Sequence, residues 1–311
     1  MYNLEFRSYQ RPFRQPLVTH HGIWQTREGI ILHLRDAQGR NSWGEIAPIP
    51  WFGSETLADA IKLYQQLGET ISNKDITQIP DSCPASQFAF ESAVTALEIA
   101  QPPPQLRVAA LLPTGSAALD AWPEAWQQGK RTFKWKIGVD SVEREIKLFQ
   151  QLLAALPPTA KLRLDANGGL TPETAQIWLN CLETTQKVEF LEQPLSPAEF
   201  DLMRELQGQY TTPLALDESV ATIAQLQDCY QRGWRGIFIV KIAIAGFPHR
   251  LRQFCQKHAP TLVFSSVFET EVARNAAFHL AAELASPQYA LGFGTDGWLQ
   301  PLMLENIMKF S

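Results

Sequence analysis

The chain has 311 residues, of which 45% are hydrophobic and 19% charged, and this ordinary globular mixture excludes an intrinsically disordered chain. Its formal net charge is -5 and it has no run of basic residues, so neither a nucleic acid nor an anionic membrane surface is expected as a partner. The amino terminus shows no apolar signal segment, and no apolar run reaches the roughly 18 residues of a membrane-spanning helix. We therefore expect a cytoplasmic protein that acts on a small molecule and keeps its four cysteines reduced.

Residues 1–104 are predicted to form a small α+β domain, on which residues near the carboxyl terminus of the chain are expected to pack. Apolar and polar residues alternate in the segments MYNLEFRSY, GIILHLRD and NSWGEIAP, which is typical of a small antiparallel sheet. Helical patterns follow at about residues 55–67 and 85–100. The proline-rich segment at 101–104 favours a stiff boundary between this domain and the rest of the chain.

Residues 105–311 are predicted to form a modified TIM-type (β/α)7β barrel. Short apolar runs alternate there with amphipathic stretches of helical length. The runs are RVAALL, TFKWKIG, KLRLDAN, VEFLEQP, PLALDES, GIFIVKIAI, TLVFSSVFE and QYALGFG. Eight predicted strands with seven intervening helices indicate a barrel, and too few residues follow the last strand for a full eighth helix. An open doubly wound α/β sheet is the alternative, because periodicity does not show whether a sheet closes.

Charged residues interrupt five successive predicted strands. They are Lys134, Lys136, Asp165, Glu192, Asp217 and Lys241. Lys134 and Lys136 are two residues apart, so strand pleating places both ammonium groups on one face. Because the carboxyl ends of barrel strands form the face that carries active sites, we expect these side chains to meet there.

Three carboxylates that converge on one face repel one another unless a cation lies between them. Oxygen ligands with no nearby His or Cys favour Mg²⁺ over zinc, and Mn²⁺ is an expected substitute. Crowded positive charges and desolvation lower the pKa of a lysine, as a base working at about pH 7 requires. Taken singly, each carboxylate is also explained as a helix cap or ion-pair partner, and Lys134 as a structural ion pair. Taken together, the three acids and three lysines predict an active site.

The motifs K-W-K at 134–136, D-A-N at 165–167, E-Q-P at 192–194 and D-E-S at 217–219, with Lys241, resemble the muconate-lactonizing branch of the enolase superfamily. The resemblance spans essentially the whole chain and includes W-G-E-I-A-P at 43–48. Within that branch, the short length and the segments GEIAPIPWFGSETL, FKWKIG, LRLDANGG and SSVFETEVARNA are most similar to the o-succinylbenzoate synthase family. The resemblance implies a capping domain on the barrel and the dehydration of a succinyl-hydroxycyclohexadiene-carboxylate in menaquinone or phylloquinone biosynthesis.

The resemblance also implies a role for each site residue. The ligands of Mg²⁺ would be Asp165, Glu192 and Asp217. Lys136 would remove the α-proton and return it to the departing hydroxyl, Lys241 would stabilise the anionic intermediate, and Lys134 would support Lys136. The residues around the metal ligands would be Arg163, Asn167 and Glu218. The succinyl carboxylate would be bound by Ser265, Ser266, Gly294 and Thr295.

Other functions fit parts of this pattern. An N-acylamino-acid racemase or a dipeptide epimerase of the same superfamily would use the same acids with one lysine on each face of the α-carbon. The epimerases usually have a second K-x-K on the sixth strand and D-x-D on the eighth, where this chain has K-I-A at 241–243 and G-T-D at 294–296. A metal-free aldolase barrel would use Lys241 as a Schiff-base lysine, and an inactive barrel would serve as a binding module.

Two further motifs are given less weight. Residues 292–297 match the dinucleotide motif G-x-G-x-x-G, but no second strand with a ribose-binding acid is predicted after them. We expect these glycines to let a loop approach a substrate anion. The pair His20 and His21 has no partner His or Cys nearby, so it is expected to be a solvated loop pair rather than a metal site.

Overall fold

The computed structural model of the chain describes residues 1–19, 22–98, 102–295, 297–303 and 307–308, and its first part is an antiparallel sheet. The strands are β1 (Tyr2–Thr19), β2 (Gly22–Asp36), β3 (Asn41–Ile46) and β4 (Thr70–Ile71), in the order β3-β2-β1-β4. Ile30, Leu32 and Leu34 are two residues apart on β2, so they share one face, and all three are buried in the core. The predicted antiparallel sheet is confirmed.

Three helices among the described residues belong to this part of the chain. They are α1 (Leu57–Leu67), α2 (Asn73–Thr77) and α3 (Pro84–Ala96). Of these, α1 and α3 pack against the sheet. Thr56 and Ser72 begin α1 and α2 with capping boxes, in which each side chain and that of an aspartate three residues later accept backbone N–H groups. Gly44 on β3 lets α3 approach closely, because a Cβ at this position would lie 2.3 Å from the Ala89 carbonyl oxygen.

The second part of the chain is a parallel sheet with helices between its strands. The strands are β5 (Ala110–Leu111), β6 (Thr132–Lys136), β7 (Lys161–Asp165), β8 (Val188–Glu192), β9 (Leu214–Leu216), β10 (Ile237–Val240) and β11 (Thr261–Phe264), and neighbours in sequence pair in space. The helices are α4 (Ala118–Gln127), α5 (Val142–Ala155), α6 (Pro172–Leu182), α7 (Phe200–Gln209), α8 (Ile223–Gln231), α9 (Pro248–His258) and α10 (Glu271–Leu284). This order is the one predicted.

A two-residue segment closes the barrel. Leu291 forms a parallel bridge with Val108 before β5, and Gly292 forms one with Ser265 after β11. The backbone of Leu291 donates to Arg107 at 2.8 Å, and that of Gly292 donates to Phe264 at 2.7 Å. Both edges of the seven-stranded sheet are therefore hydrogen-bonded to one segment, so the open doubly wound alternative is excluded. The predicted eighth strand is much shorter than the run QYALGFG suggested.

Apolar side chains fill the barrel beneath its charged end. A separate buried cluster consists of Phe190, Ala215, Ile237, Ile239 and Val263. Phe190 lies two residues before Glu192 on β8, so the two side chains point to the same side of the strand. This apolar cluster therefore lies inside the barrel, below the predicted acids and lysines at the carboxyl ends of the strands.

The first domain is joined to the barrel by a buried glutamate. Glu45 on β3 is fully buried, and its carboxylate accepts hydrogen bonds from the backbone N–H groups of Thr270 at 2.8 Å and Ala273 at 3.1 Å. The Tyr9 hydroxyl donates to the same carboxylate at 2.6 Å. Glu45 thereby caps the amino end of α10 across the domain interface.

The predicted domain boundary after residue 104 falls between α3 and β5, and it stays a prediction. None of the helices in the described ranges has the length and apolar character needed to cross a membrane.

Candidate active site

The predicted charged residues meet at the carboxyl ends of β6 to β10, around a cavity of about 110 Å³. The predicted residues that line it are Lys134, Lys136, Asp165, Asn167, Asp217, Lys241, Ser265, Ser266, Gly294 and Thr295. A larger cavity of about 470 Å³ lies between α3, α9 and α10, and none of the predicted site residues lines it. Of these two cavities, the smaller one combines acids with lysines, so it is the candidate active site.

Lys134 forms ion pairs with two of the carboxylates. Its Nζ lies 2.8 Å from Asp165 Oδ2 and 2.6 Å from Glu192 Oε1. Burial by itself lowers the pKa of Lys134, but the attraction of Asp165 and Glu192 is stronger and holds that pKa above its usual value. Lys134 is therefore a fixed positive charge and is poorly suited to proton transfer.

The three carboxylates are almost fully buried, with exposed fractions of 1% for Asp165, 1% for Glu192 and 2% for Asp217. Burial and the repulsion of Asp165 raise the pKa of Glu192 to about 8. Burial also acts to raise the pKa of Asp165, but the charges of Lys134 and Lys136 outweigh it and the net shift is downward. Glu192 is thus a carboxylate whose negative charge an added cation would stabilise.

Asn167 and Glu218 lie beside these carboxylates. Asn167 has a φ of 45°, a left-handed conformation that Asn tolerates, and its backbone N–H donates to Asp165 Oδ1 at 3.0 Å. Its Nδ2 donates to Glu218 Oε1 at 3.1 Å. Burial and the charge of Asp217 raise the pKa of Glu218 to about 7. Asn167 thus links the Asp165 carboxylate to a fourth buried acid.

The chemistry of these acids fits a hard divalent cation. Glu192 and Glu218 both have raised pKa values, and Glu218 Oε2 is buried with no hydrogen-bond partner among the described residues, so negative charge is in excess. Carboxylate oxygens are the ligands that Mg²⁺ prefers. Within the described ranges, no three His, Cys, Asp or Glu side chains converge closely enough to hold a metal. The Lys134 ammonium group contacts both the Asp165 and the Glu192 carboxylates.

The lysines on opposite walls of the cavity differ in their partners. Lys241 Nζ is ion-paired with Asp217 Oδ1 and lies 3.9 Å from the centroid of the Phe52 ring. Lys136 lines the same cavity, and no hydrogen bond or ion pair joins its Nζ to any residue whose position the structure describes. One lysine is therefore held in place, while the other is able to exchange a proton with a bound molecule.

The structure pairs Arg163 with Glu189 rather than with the three predicted metal ligands, which corrects the expectation for this residue. Its Nε donates to Glu189 Oε2 at 2.7 Å, and its guanidinium carbon lies 4.8 Å from the centroid of the Phe190 ring. Arg163 precedes Asp165 by two residues on β7, so its side chain points to the same side but deeper in the barrel. It therefore belongs to the barrel interior.

A polar network builds the cavity wall that follows β11. Ser266 Oγ lies 3.0 and 2.9 Å from the two oxygens of the Glu269 carboxylate. Arg274 Nη2 donates to Thr295 Oγ1 at 2.8 Å. Ser266 and Thr295 were predicted to bind the succinyl carboxylate, whereas no role was predicted for Glu269 and Arg274. Their signal was available, since both lie in the segment SSVFETEVARNA directly after the strand.

Phe13 and Trp24 of the first domain pack on Phe268, which lines the cavity. The Phe13 ring centroid lies 5.0 Å from that of Trp24 and 5.1 Å from that of Phe268. Trp51 lies 4.9 Å from Trp24, and Phe268 also lines the cavity. Sequence patterning assigned no role to Phe13 and Phe268, because an aromatic side chain in an apolar segment is typical of the core.

The glycine motif at 292–297 is described in part. Gly294 has no room for a side chain, because a Cβ there would lie 2.0 Å from the Ala109 carbonyl oxygen. Its loop therefore approaches the barrel closely, as expected for a cavity wall. Three residues of the predicted motifs lie outside the described ranges, namely Asp296, His20 and His21.

Comparisons with known proteins cover both domains. A family model described as MenC, N-terminal domain, matches residues 1–97, and one described as Enolase C-terminal domain-like matches residues 117–308. The o-succinylbenzoate synthase of Thermosynechococcus vestitus is 42% identical over 98% of this chain and 96% of its own length. The chain belongs to the o-succinylbenzoate synthase family.

Solved structures agree with membership of the o-succinylbenzoate synthase family. The crystal structure of o-succinylbenzoate synthase from Thermosynechococcus elongatus BP-1, complexed with Mg in the active site, has a TM-score of 0.91 and 43% identity, and the match covers 97% of this chain and 96% of that one. The L-Ala-D/L-Glu epimerase from Bacillus subtilis has a TM-score of 0.80 at 20% identity, covering 96% and 90% of the two chains, which shows the fold alone. The predicted family and barrel fold are confirmed.

Proposed function

We propose that the chain is a Mg²⁺-dependent lyase that converts 2-succinyl-6-hydroxy-2,4-cyclohexadiene-1-carboxylate to o-succinylbenzoate, in menaquinone or phylloquinone biosynthesis. The reaction removes the proton α to the carboxylate and eliminates the neighbouring hydroxyl as water, which leaves an aromatic ring. One observation carries the proposal: two lysines face each other above buried acids, one held and one without a described partner. Family membership supports the choice of substrate and metal.

Lys136 is the proposed base. As a neutral amine it takes the α-proton, and as an ammonium group it returns a proton to the departing hydroxyl on the same face. The held ammonium group of Lys241 on the opposite wall stabilises the negative charge that develops when the proton leaves. Lys134 balances the charge of Asp165 and Glu192 beneath Lys136.

The proposed metal ligands are Asp165, Glu192 and Asp217, at the ends of three adjacent strands. When bound, Mg²⁺ supplies positive charge beside the substrate carboxylate. Asn167 and Glu218 surround these ligands, since Asn167 hydrogen-bonds to both Asp165 and Glu218. The proposed partners of the succinyl carboxylate are Ser265, Ser266, Gly294 and Thr295. A cytoplasmic location and the absence of nucleic-acid and membrane partners stay predictions.

An N-acylamino-acid racemase is the second candidate, because two lysines face each other across the cavity. Racemization requires both lysines to exchange a proton with the α-carbon. The contacts of Lys241 with Asp217 and Phe52 favour elimination with a single base. A dipeptide epimerase also requires both lysines as bases, so the same contacts of Lys241 argue against it. A Schiff-base aldolase requires a Lys241 amine without an ion-pair partner. A non-catalytic binding module does not explain the position of Lys136 in the cavity.

The test follows the ultraviolet absorbance of the diene substrate in the presence of purified protein with Mg²⁺ or EDTA. Wild-type protein is expected to turn over with Mg²⁺ only, and Lys136→Ala is expected to lose at least about 10²-fold in kcat, because it removes the base. Lys161→Ala is the matched control, since Lys161 is exposed at the opposite end of β7.

Three outcomes would contradict the proposed dehydration. Turnover that persists in Lys136→Ala would exclude Lys136 as the base. Absence of turnover in wild-type protein, together with Mg²⁺-dependent racemization of an N-acylamino acid, would favour the racemase. Trapping of a carbonyl substrate on Lys241 by borohydride would favour the aldolase.

A further inference from the structure

Phe52 is an aromatic residue for which the proposed reaction supplies no role. Its ring centroid lies 3.9 Å from Lys241 Nζ. The face of an aromatic ring is negative in character, so it attracts an ammonium group. The same ammonium group is also paired with Asp217 Oδ1. Two contacts, one from each domain, therefore act on Lys241 Nζ.

The segment that carries Phe52 is a closed turn. Residues Pro50–Phe52 form a single 3-10 turn, in which the backbone N–H of Phe52 donates to the Ile49 carbonyl at 2.9 Å. The backbone N–H of Ile49 in turn donates to Ser54 Oγ at 2.6 Å. Gly53 completes the turn with a φ of 119°, which residues with a side chain rarely adopt. The Phe52 ring is therefore carried by a backbone with little freedom.

We propose that Phe52 is a positioning residue that fixes the ammonium group of Lys241 on its wall of the cavity. This rests on the proposed dehydration, in which Lys241 is a held positive charge. Between Asp217 and the ring, Lys241 Nζ cannot swing toward a substrate without leaving both contacts. Because Phe52 belongs to the first domain and Lys241 to the barrel, placement of this charge also depends on how the domains dock.

A correctly placed charge contributes most in the transition state, when the substrate becomes negative. Phe52→Leu, which keeps an apolar side chain but removes the ring, is expected to lower kcat about tenfold with little change in KM. Phe52→Tyr keeps the ring and is expected to restore most of that loss. Trp51→Leu is the matched control, because Trp51 lies in the same turn and packs on Trp24 without a described contact to Lys241.

A double-mutant cycle tests whether Phe52 acts through Lys241. Binding of o-succinylbenzoate is measured by calorimetry for wild-type protein, Phe52→Leu, Lys241→Ala and the double variant, all with Mg²⁺. We expect Phe52→Leu to weaken binding about threefold in the wild-type background and to have no effect in the Lys241→Ala background. An equal loss in both backgrounds would overturn the proposal, because the ring would then act as part of the wall.

The kinetic results separate this proposal from the proposed function. Wild-type protein that does not dehydrate the substrate contradicts the function itself. Wild-type turnover with full kcat in Phe52→Leu contradicts only the positioning role, as does a loss in Trp51→Leu equal to that in Phe52→Leu. A rise in KM alone in Phe52→Leu also overturns positioning, because it indicates a role in substrate binding.

Discussion

Lys134 and Lys136 lie two residues apart on one strand, yet their surroundings give them different chemistry. Both point to the same side of β6, as pleating requires. Lys134 lies two residues before the end of the strand, where its ammonium group contacts Asp165 and Glu192. Lys136 lies at the end of the strand, beyond hydrogen-bonding distance of every described partner. The position along the strand thus decides which lysine balances charge and which is suited to act as a base.

Lys134→Met is expected to destabilise the metal-free protein by about 3–5 kcal/mol, because it leaves two buried carboxylates without their cation. The loss should be smaller with Mg²⁺, which compensates the same charges. Denaturant unfolding in EDTA and in Mg²⁺ measures both values. Lys147→Met is the control, since Lys147 is an exposed residue of α5. An equal loss in the two conditions would show that Lys134 and the metal balance different charges.

At the scale of elements, buried glutamates hold the loops that carry the site. Glu145 accepts the backbone N–H groups of Gly138, Val139 and Asp140 at 2.8, 2.9 and 3.1 Å, in the loop that follows Lys136. Glu55, three residues after Phe52, caps α3 in the same way. Each carboxylate replaces the water that free backbone N–H groups would otherwise need. Glu145 and Glu55 therefore stabilise these loops without lining the cavity themselves.

The pKa of Glu55 is raised, because burial outweighs the hydrogen bonds from Ser86 and Ala85. A folded-state pKa above the unfolded one means that the contribution of Glu55 to stability is largest at low pH and is lost as pH rises through the folded pKa. The unfolding free energy of wild-type protein relative to Glu55→Gln should therefore fall as pH rises above about 4.3. Denaturant unfolding across this range measures it.

Asp59 provides a control of opposite sign. A hydrogen bond from the Thr56 side chain lowers the pKa of this exposed residue, so its contribution is present above the unfolded pKa and is lost as pH falls. The unfolding free energy relative to Asp59→Asn should consequently rise with pH. The same direction of change for Glu55 and Asp59 would contradict the assignment of Glu55.

At the scale of the whole molecule, neither domain makes the site alone. The barrel contributes the lysines and acids, and the first domain contributes Phe52 and Leu17 to the surroundings of the cavity. Glu45 fixes their relative position by capping α10, the helix whose Arg274 donates to Thr295 in the cavity wall. The complete site therefore requires both domains.

Mg²⁺ is expected to raise the thermal unfolding midpoint, and EDTA to abolish the increase, because the ion binds carboxylates that are brought together only in the folded state. At a concentration of 100 times Kd the stabilisation should be about 2.7 kcal/mol. Asp217→Asn should lose most of it, and Glu143→Gln, an exposed residue of α5, should keep it. Mn²⁺ is expected to substitute. An unchanged increase in Asp217→Asn would remove Asp217 from the ligand set.

The barrel strands and the residues at their ends could be predicted from the sequence, because their signals are local. Each barrel strand is covered by helices on its outer face and by the barrel interior on its inner face, so it is an unbroken apolar run in the sequence. The short length of such a run distinguishes a strand from a helix. Acids such as Asp165 and Glu192 at the ends of such runs are costly to bury unless they have a function or a partner. These two signals were sufficient to predict alternating strands and helices and the acids at the strand ends.

Only the tertiary structure decided how the chain closes and which partners its charged residues take. Leu291 and Gly292 close the barrel through backbone hydrogen bonds, which leave no periodic pattern in two residues. Arg163 pairs with Glu189, and Lys241 lies against Phe52, across distances in sequence that no local pattern spans. Burial of a segment is a local property, whereas the partner of a charge depends on which elements pack together.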